Sequence, residues 1–169
     1  MTTASPLRSA QDVTTASPCT CLRLRKLSRQ LTNLYDQHLA PFGLTVTQYG
    51  LLAHLRSLDG IGVGALAEAM VMDPTALTRA LRPLTREGLV RLVTGSTDKR
   101  ARRVFITDKG RQTLGAAGPA WRKAQEHVDE VLRASDMAGL NGLLDGLISQ
   151  MKTVPAPGAT TAPTGKDSA

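Results

Sequence analysis

Residues 73–91 read Asp-Pro-Thr-Ala-Leu-Thr-Arg-Ala-Leu-Arg-Pro-Leu-Thr-Arg-Glu-Gly-Leu-Val-Arg, and this stretch decides the fold. Asp73 is an N-cap residue and Pro74 suits the first helical position, where a missing N–H costs nothing. Gly88 closes the helix that Asp73 opens, giving a span of 74–87. On a helical wheel Leu77, Leu81 and Leu84 cluster on one side. Thr75, Arg79, Arg82 and Arg86 fall opposite, with Thr78 flanking. One face is an aliphatic anchor and the other carries only Arg and Thr. Such a face suits the DNA major groove, where Arg can bond guanine edges and Thr can bond phosphate or touch a thymine methyl. A solvated basic face on a surface helix has the same composition, so the neighbours must decide between the two.

Working outward, the periodicity before this helix is also helical. Leu24, Leu27, Leu31, Leu34 and His38 draw one stripe over about residues 20–40, which Pro41 stops. Thr45 and Gln48 have capping-box spacing, and Leu51, Leu52, Leu55 and Leu58 supply the core contacts of a second helix ended by Asp59-Gly60. A short helix over 63–70, with Leu66 and Ala67 inward, precedes Asp73. A short helix, a tight turn and a second helix make a helix-turn-helix, in which the second helix is the reader.

After Gly88 the period changes. Leu89–Val93 and Arg103–Thr107 read as strands joined by the polar loop Thr94–Arg102. A long helix over about 108–133 follows, with a bend expected at Gly118-Pro119, and Ser135-Asp136 caps a last helix carrying Leu140, Leu143, Leu144, Leu147, Ile148 and Met151. The expected fold is mainly α with a small β-hairpin wing, in the order α-α-α-α-β-β-α-α.

Charge resolves the ambiguity. Residues 74–111 hold ten basic and three acidic residues, an excess equal to the net charge of +7 of the whole chain. Lys99, Arg100, Arg102 and Arg103 concentrate it in the hairpin loop. An excess confined to the reading helix and the wing is what counterion release from double-stranded DNA requires. Pro83 interrupts the reading helix. It removes a donor and clashes with the Arg79 carbonyl, at about 3 kcal/mol in an ordinary helix. The expectation is a kink rather than a break, which would turn Arg86 toward a phosphate.

Three motifs resemble the MarR family of multiple-antibiotic-resistance-type regulators over about residues 20–152. The first is Asp98-Lys99-Arg100 followed by Val104-Phe105-Ile106-Thr107-Asp108-Lys109-Gly110, with Ile106 where leucine is usual. The second is Leu44-Thr45-x-x-Gln48-Tyr49-x-x-Leu52. The third is Leu66-Ala67 together with the reading helix ending Glu87-Gly88-Leu89-Val90. The resemblance implies a homodimer joined through its N- and C-terminal helices and bound to a palindromic operator. The reading helix would enter the major groove and the wing the minor groove. It also implies repression relieved by a small ligand, often an aromatic acid. On this reading the DNA contacts are Thr75, Thr78, Arg79, Arg82, Arg86, Asp98, Lys99, Arg100, Arg102 and Arg103. Arg100 would be the wing tip, held in a fixed rotamer by Asp98; the alternative for Asp98 is a plain hairpin turn.

The remaining signals are fewer. Tyr35, Tyr49, His54 and Trp121 are candidates for an effector pocket, with simple core packing as the alternative reading. Cys19 and Cys21 near a helix N-terminus, with Arg23 and Arg25 close by, suit a redox sensor; incidental thiols are the bland reading, and the pair gives no disulfide framework. A metal sensor would need Cys21, His38, His54 or His127 to converge, and their spacing suggests no ligand set. No cofactor is called for. No phosphate loop, nucleophile elbow or paired carboxylates suggest an enzyme. With no apolar span and no export signal, the chain is expected to be cytoplasmic. Aromatics are only 3% of the chain, so the core of the expected domain, 19–152, must be aliphatic. Its DNA-binding lobe is about 45–110. The Thr-, Ala-, Ser- and Pro-rich segments 1–18 and 153–169 read as mobile tails.

Overall fold

Local chemistry at the helix ends sets the element order. The computed structural model describes residues 19–94, 102–131 and 134–152. Helix α1 (Thr20–Leu39) gives way to a 3-10 turn over Ala40–Phe42 that contains Pro41, and Gly43 leaves that turn at φ +67°. Thr45 then caps α2 (Val46–Ser57). Its hydroxyl accepts from Gln48 N at 3.3 Å, and the Gln48 side chain accepts from Thr45 N at 2.9 Å. The Asp36 carboxylate of α1 accepts from Val46 N at 2.6 Å, which ties the two helices at this corner.

A short strand, β1 (Ile61–Gly62), leads directly into α3 (Val63–Ala69), and Asp73 caps α4 (Pro74–Arg86) by accepting from Thr75 N and Ala76 N at 2.8 and 3.2 Å. The end of α4 is a paired closure: Gly88 N donates to Thr85 O and Leu89 N to Leu84 O, with Gly88 at φ +69°. That satisfies two otherwise orphaned carbonyls and needs the conformational freedom of glycine. Helix α4 runs through Pro83 to Arg86 without a break.

Strands β2 (Val90–Thr94) and β3 (Arg102–Ile106) pair antiparallel, with Val90 opposite Ile106 and Thr94 opposite Arg102. Each lies one residue from its expected span, because Leu89 is consumed by the helix closure and Thr107 by the start of α5 (Asp108–Val131). Among the described residues the sheet order is β1-β3-β2. Strand β1 was not expected: two residues are too short to show a period. The last helix, α6, spans Ala134–Met151, starting one residue before the expected cap.

Two compact units divide between Gln125 and Glu126, inside α5. The first holds the core. Leu39, Leu51, Leu52, Leu55, Leu66, Leu77, Leu81, Leu84, Val90, Val104 and Leu114 are all 2% exposed or less. It is aliphatic, as the composition requires. Leu58 corrects the expectation of a core contact: it lies beyond the last turn of α2, with φ −116° and ψ 42°, and is exposed. In the second unit, Leu143, Leu147, Ile148 and Met151 of α6 are exposed. Leu22, Leu24 and Leu27 at the start of α1 are exposed as well. No helix among the described residues is long and apolar enough to cross a membrane.

Candidate nucleic-acid interface

The helix α4 has the two faces its wheel implies. Leu77, Leu81 and Leu84 are buried, whereas Thr75, Thr78, Arg79, Arg82 and Arg86 are exposed. The capped, Pro74-initiated N-terminus and the Gly88 closure hold the helix at both ends, so its exposed face has a fixed direction. Thr78 Oγ1 donates to Pro74 O at 2.8 Å and Thr85 Oγ1 to Leu81 O at 3.0 Å. Each hydroxyl thus satisfies itself on the preceding turn and retains its acceptor lone pairs. Arg86 Nε lies 3.3 Å from the Glu87 carboxylate in a pair open to solvent, the kind that contributes little to stability.

Beside α4 runs an open cleft of about 460 Å³. Val63, Leu81 and Leu92 give it apolar walls, and Thr78, Arg82 and Arg102 give it polar ones. Arg102 of β3 therefore shares one surface with the α4 arginines. Arg103 is exposed but does not line the cleft, and its Nε donates to the Gly60 carbonyl. Arg91 lies over the Phe105 ring, 4.2 Å from its centroid, and Lys109 Nζ donates to Glu87 O at 2.7 Å. Asp98, Lys99 and Arg100 lie outside the described residues.

The segment Thr107-Asp108-Lys109-Gly110 has a structural reason for its composition. Thr107 Oγ1 lies 2.7 Å from Gly88 O and 3.1 Å from Leu89 O, and it accepts from Gly110 N at 3.0 Å. A Cβ on Gly110 would stand 2.1 Å from the Leu89 carbonyl oxygen. The motif clamps the start of α5 against the end of α4 and so fixes where the wing departs.

Tyr35, Tyr49 and Trp121 come together. Tyr49 stacks on Trp121 at 5.9 Å and 7°, Tyr35 meets the same ring at 6.1 Å and 42°, and Tyr35 Oη donates to Gln125 Oε1. His54 lies five residues beyond Tyr49, about 140° around α2 at 100° per residue. It is exposed, with Nδ1 2.9 Å from Gly50 O. Cys19 and Cys21 are exposed at the start of α1. Among the described residues no three His, Cys, Asp or Glu side chains gather into a group that could hold a metal.

The helix-turn-helix of α3 and α4, with a hairpin wing after it, defines a winged-helix DNA-binding protein. Comparison with known proteins narrows this. The model of the MarR family matches residues 44–101. The transcriptional regulator HosA of Escherichia coli is 35% identical over 99 residues, covering 56% of this chain and 73% of that protein. The transcriptional regulator MosR of M. tuberculosis, solved in complex with DNA, is 34% identical with a TM-score of 0.69, over 80% of this chain and 99% of that one. A mutant MarR of E. coli in complex with operator DNA shares the fold at 24% identity and a TM-score of 0.67, over 73% of this chain and 89% of that one. The chain belongs to the MarR family and is a DNA-binding transcriptional regulator.

Proposed function

We propose that the chain acts as a homodimeric repressor that binds a palindromic operator and releases it when a small ligand binds. The observation that carries this reading is the α4 face. Thr75, Thr78, Arg79, Arg82 and Arg86 stand exposed opposite three buried leucines, on a helix fixed at both ends. In this reading Arg79 and Arg82 read base edges in the major groove. Arg102 and the wing residues Lys99 and Arg100 follow the backbone into the minor groove, with Asp98 orienting Arg100. Arg103, exposed on β3, adds a further cation to the wing and is braced at its base through Gly60. The exposed leucines of α1 and α6 support the dimer. Two-fold symmetry then matches a palindrome whose half-sites lie about one helical turn apart.

The cleft beside α4 supports the ligand. Apolar walls with guanidinium groups at the rim suit a small acid with an aromatic body. Occupancy there competes with DNA for Arg82 and Arg102. Neither the Tyr35, Tyr49 and Trp121 cluster nor His54 lines this cleft, and the cluster stands as the alternative place for the ligand.

The test is selection of bound duplexes from a random pool. A recovered inverted repeat supports the reading, and recovery of unrelated sequences overturns it. A second reading rests on Cys19 and Cys21, both exposed at the start of α1, the helix whose first three leucines are exposed. There the signal would be thiol oxidation instead of a ligand. Mass spectrometry after mild peroxide, paired with DNA binding, separates the two. An oxidised pair that leaves binding unchanged removes the redox reading.

A further inference from the structure

The turn Leu58–Gly60, between α2 and β1, is bound to the wing from several directions. Asp59 Oδ1 accepts from Ile106 N at 3.2 Å, at the foot of β3. Asp59 Oδ2 lies 2.8 Å from Arg111 Nη2 on the first turns of α5. Next to it, Gly60 N donates to Val104 O at 3.0 Å, and Gly60 O accepts from Arg103 Nε. The Phe105 ring covers Gly60 so closely that a Cβ there would stand 2.7 Å from it, and Arg91 lies over that ring. One carboxylate thus joins the end of a core helix to both the strand that leaves the wing and the helix that follows it.

The core residues Val104 and Ile106 hold the hairpin against the helices, but apolar burial has no direction. Direction comes from hydrogen bonds. Arg102 lies four residue steps, about 13 Å, from Ile106, so a swing of about 10° at Ile106 moves it by about 2 Å. Added to a hydrogen bond of about 2.9 Å, that displacement exceeds bonding distance and would take Arg102 off a phosphate or groove floor.

We propose that Asp59 is a positioning residue for DNA binding: its carboxylate fixes the direction of the β2–β3 wing, and the minor-groove contact depends on it although Asp59 does not touch DNA. The proposal rests on the reading that the wing enters the minor groove. Its sign is opposite to simple electrostatics, since removing a negative charge should strengthen a non-specific hold on phosphate.

The experiment uses the full chain and a duplex recovered by selection on the unsubstituted protein. Asp59→Ala removes both the Ile106 hydrogen bond and the Arg111 ion pair. Asp59→Asn keeps an acceptor for Ile106 N, loses the ion pair and carries the test if the alanine variant does not fold. Guanine methylation reads the major groove, and hydroxyl-radical cleavage reads the minor groove. The expected result is an affinity loss of roughly ten- to hundredfold for Asp59→Ala and a smaller one for Asp59→Asn. Protection of the minor groove fades, protection of guanine N7 stays, and the salt slope falls by about one for each phosphate that the wing no longer neutralises. The loss should also be non-additive with Arg102→Ala. Two results overturn the proposal: both protections fading together, or the Asp59 variants keeping minor-groove protection that Arg102→Ala or Arg100→Ala abolishes. If Arg100→Ala and Arg102→Ala both leave that protection intact, the wing reading itself fails, and the two failures are told apart.

Discussion

Arg79 and Arg82 are exposed on one face of α4, while Arg91 and Lys109, counted in the same basic excess, are engaged elsewhere: one over Phe105, the other on the Glu87 carbonyl. This separates residues that can read sequence from residues that can only add charge. Arg79→Ala and Arg82→Ala should each cost about 1–3 kcal/mol on the preferred operator and relax its sequence preference. Arg91→Ala should weaken all sequences alike, if it weakens any. Competition binding against single-base operator variants checks this, and an unchanged preference in both Arg79 and Arg82 variants would show that the face is wrongly assigned. Gly110 is the second residue on which much depends, because backbone occupies the place of its side chain. Gly110→Ala cannot be absorbed by a rotamer change. It should cost about 3 kcal/mol or more by forcing α5 off Leu89, seen as a fall in the urea midpoint.

At the scale of elements, the turn between α3 and α4 holds an unexpected feature. Val71 sits at φ +50° and is 62% exposed. A β-branched residue in the left-handed region is strained by about 1–2 kcal/mol, and little burial is gained in return. The turn geometry demands the conformation, since Val71 N donates to Glu68 O and Met72 N to Ala67 O. Val71→Gly should therefore stabilise the protein by about 0.5–1 kcal/mol, after the greater freedom of glycine in the unfolded chain is deducted. Thermal unfolding measures it, and a lowered midpoint would refute the strain. Nothing in the sequence announces this strain, because valine by itself suggests a strand. The helices were legible for the opposite reason: caps such as Thr45 and Asp73 and leucine spacings act over a few residues, and the structure has the same caps. The Asp59 carboxylate was not legible as a link to the wing. Asp59-Gly60 reads as a helix end, and its partners Ile106 and Arg111 are 47 and 52 residues away. For the same reason the bond from Arg103 to Gly60, 43 residues back, was not legible.

For the whole molecule, leucines stay exposed on the first turns of α1 and on α6, and the two helices differ in charge. Helix α1 carries four basic residues and one acidic, whereas α6 carries two acidic residues and no basic one. An exposed apolar stripe calls for a partner, and opposite charge says which stripe of a second copy suits it. In the proposed dimer the leucines supply the affinity and the charges the pairing. Leu143 is 69% exposed and Leu147 49%, so Leu143→Glu with Leu147→Glu removes little of the chain's own packing. The doubly substituted protein should keep its helical circular dichroism, run as a monomer in light scattering at micromolar concentration, and lose at least about a hundredfold in operator affinity. That loss follows because the second half-site is no longer bound at high effective concentration. A substituted protein that stays dimeric would place the interface elsewhere. One that becomes monomeric yet binds the full palindrome as tightly as before would show that a single α4 and wing account for recognition, and the two-fold argument would fall.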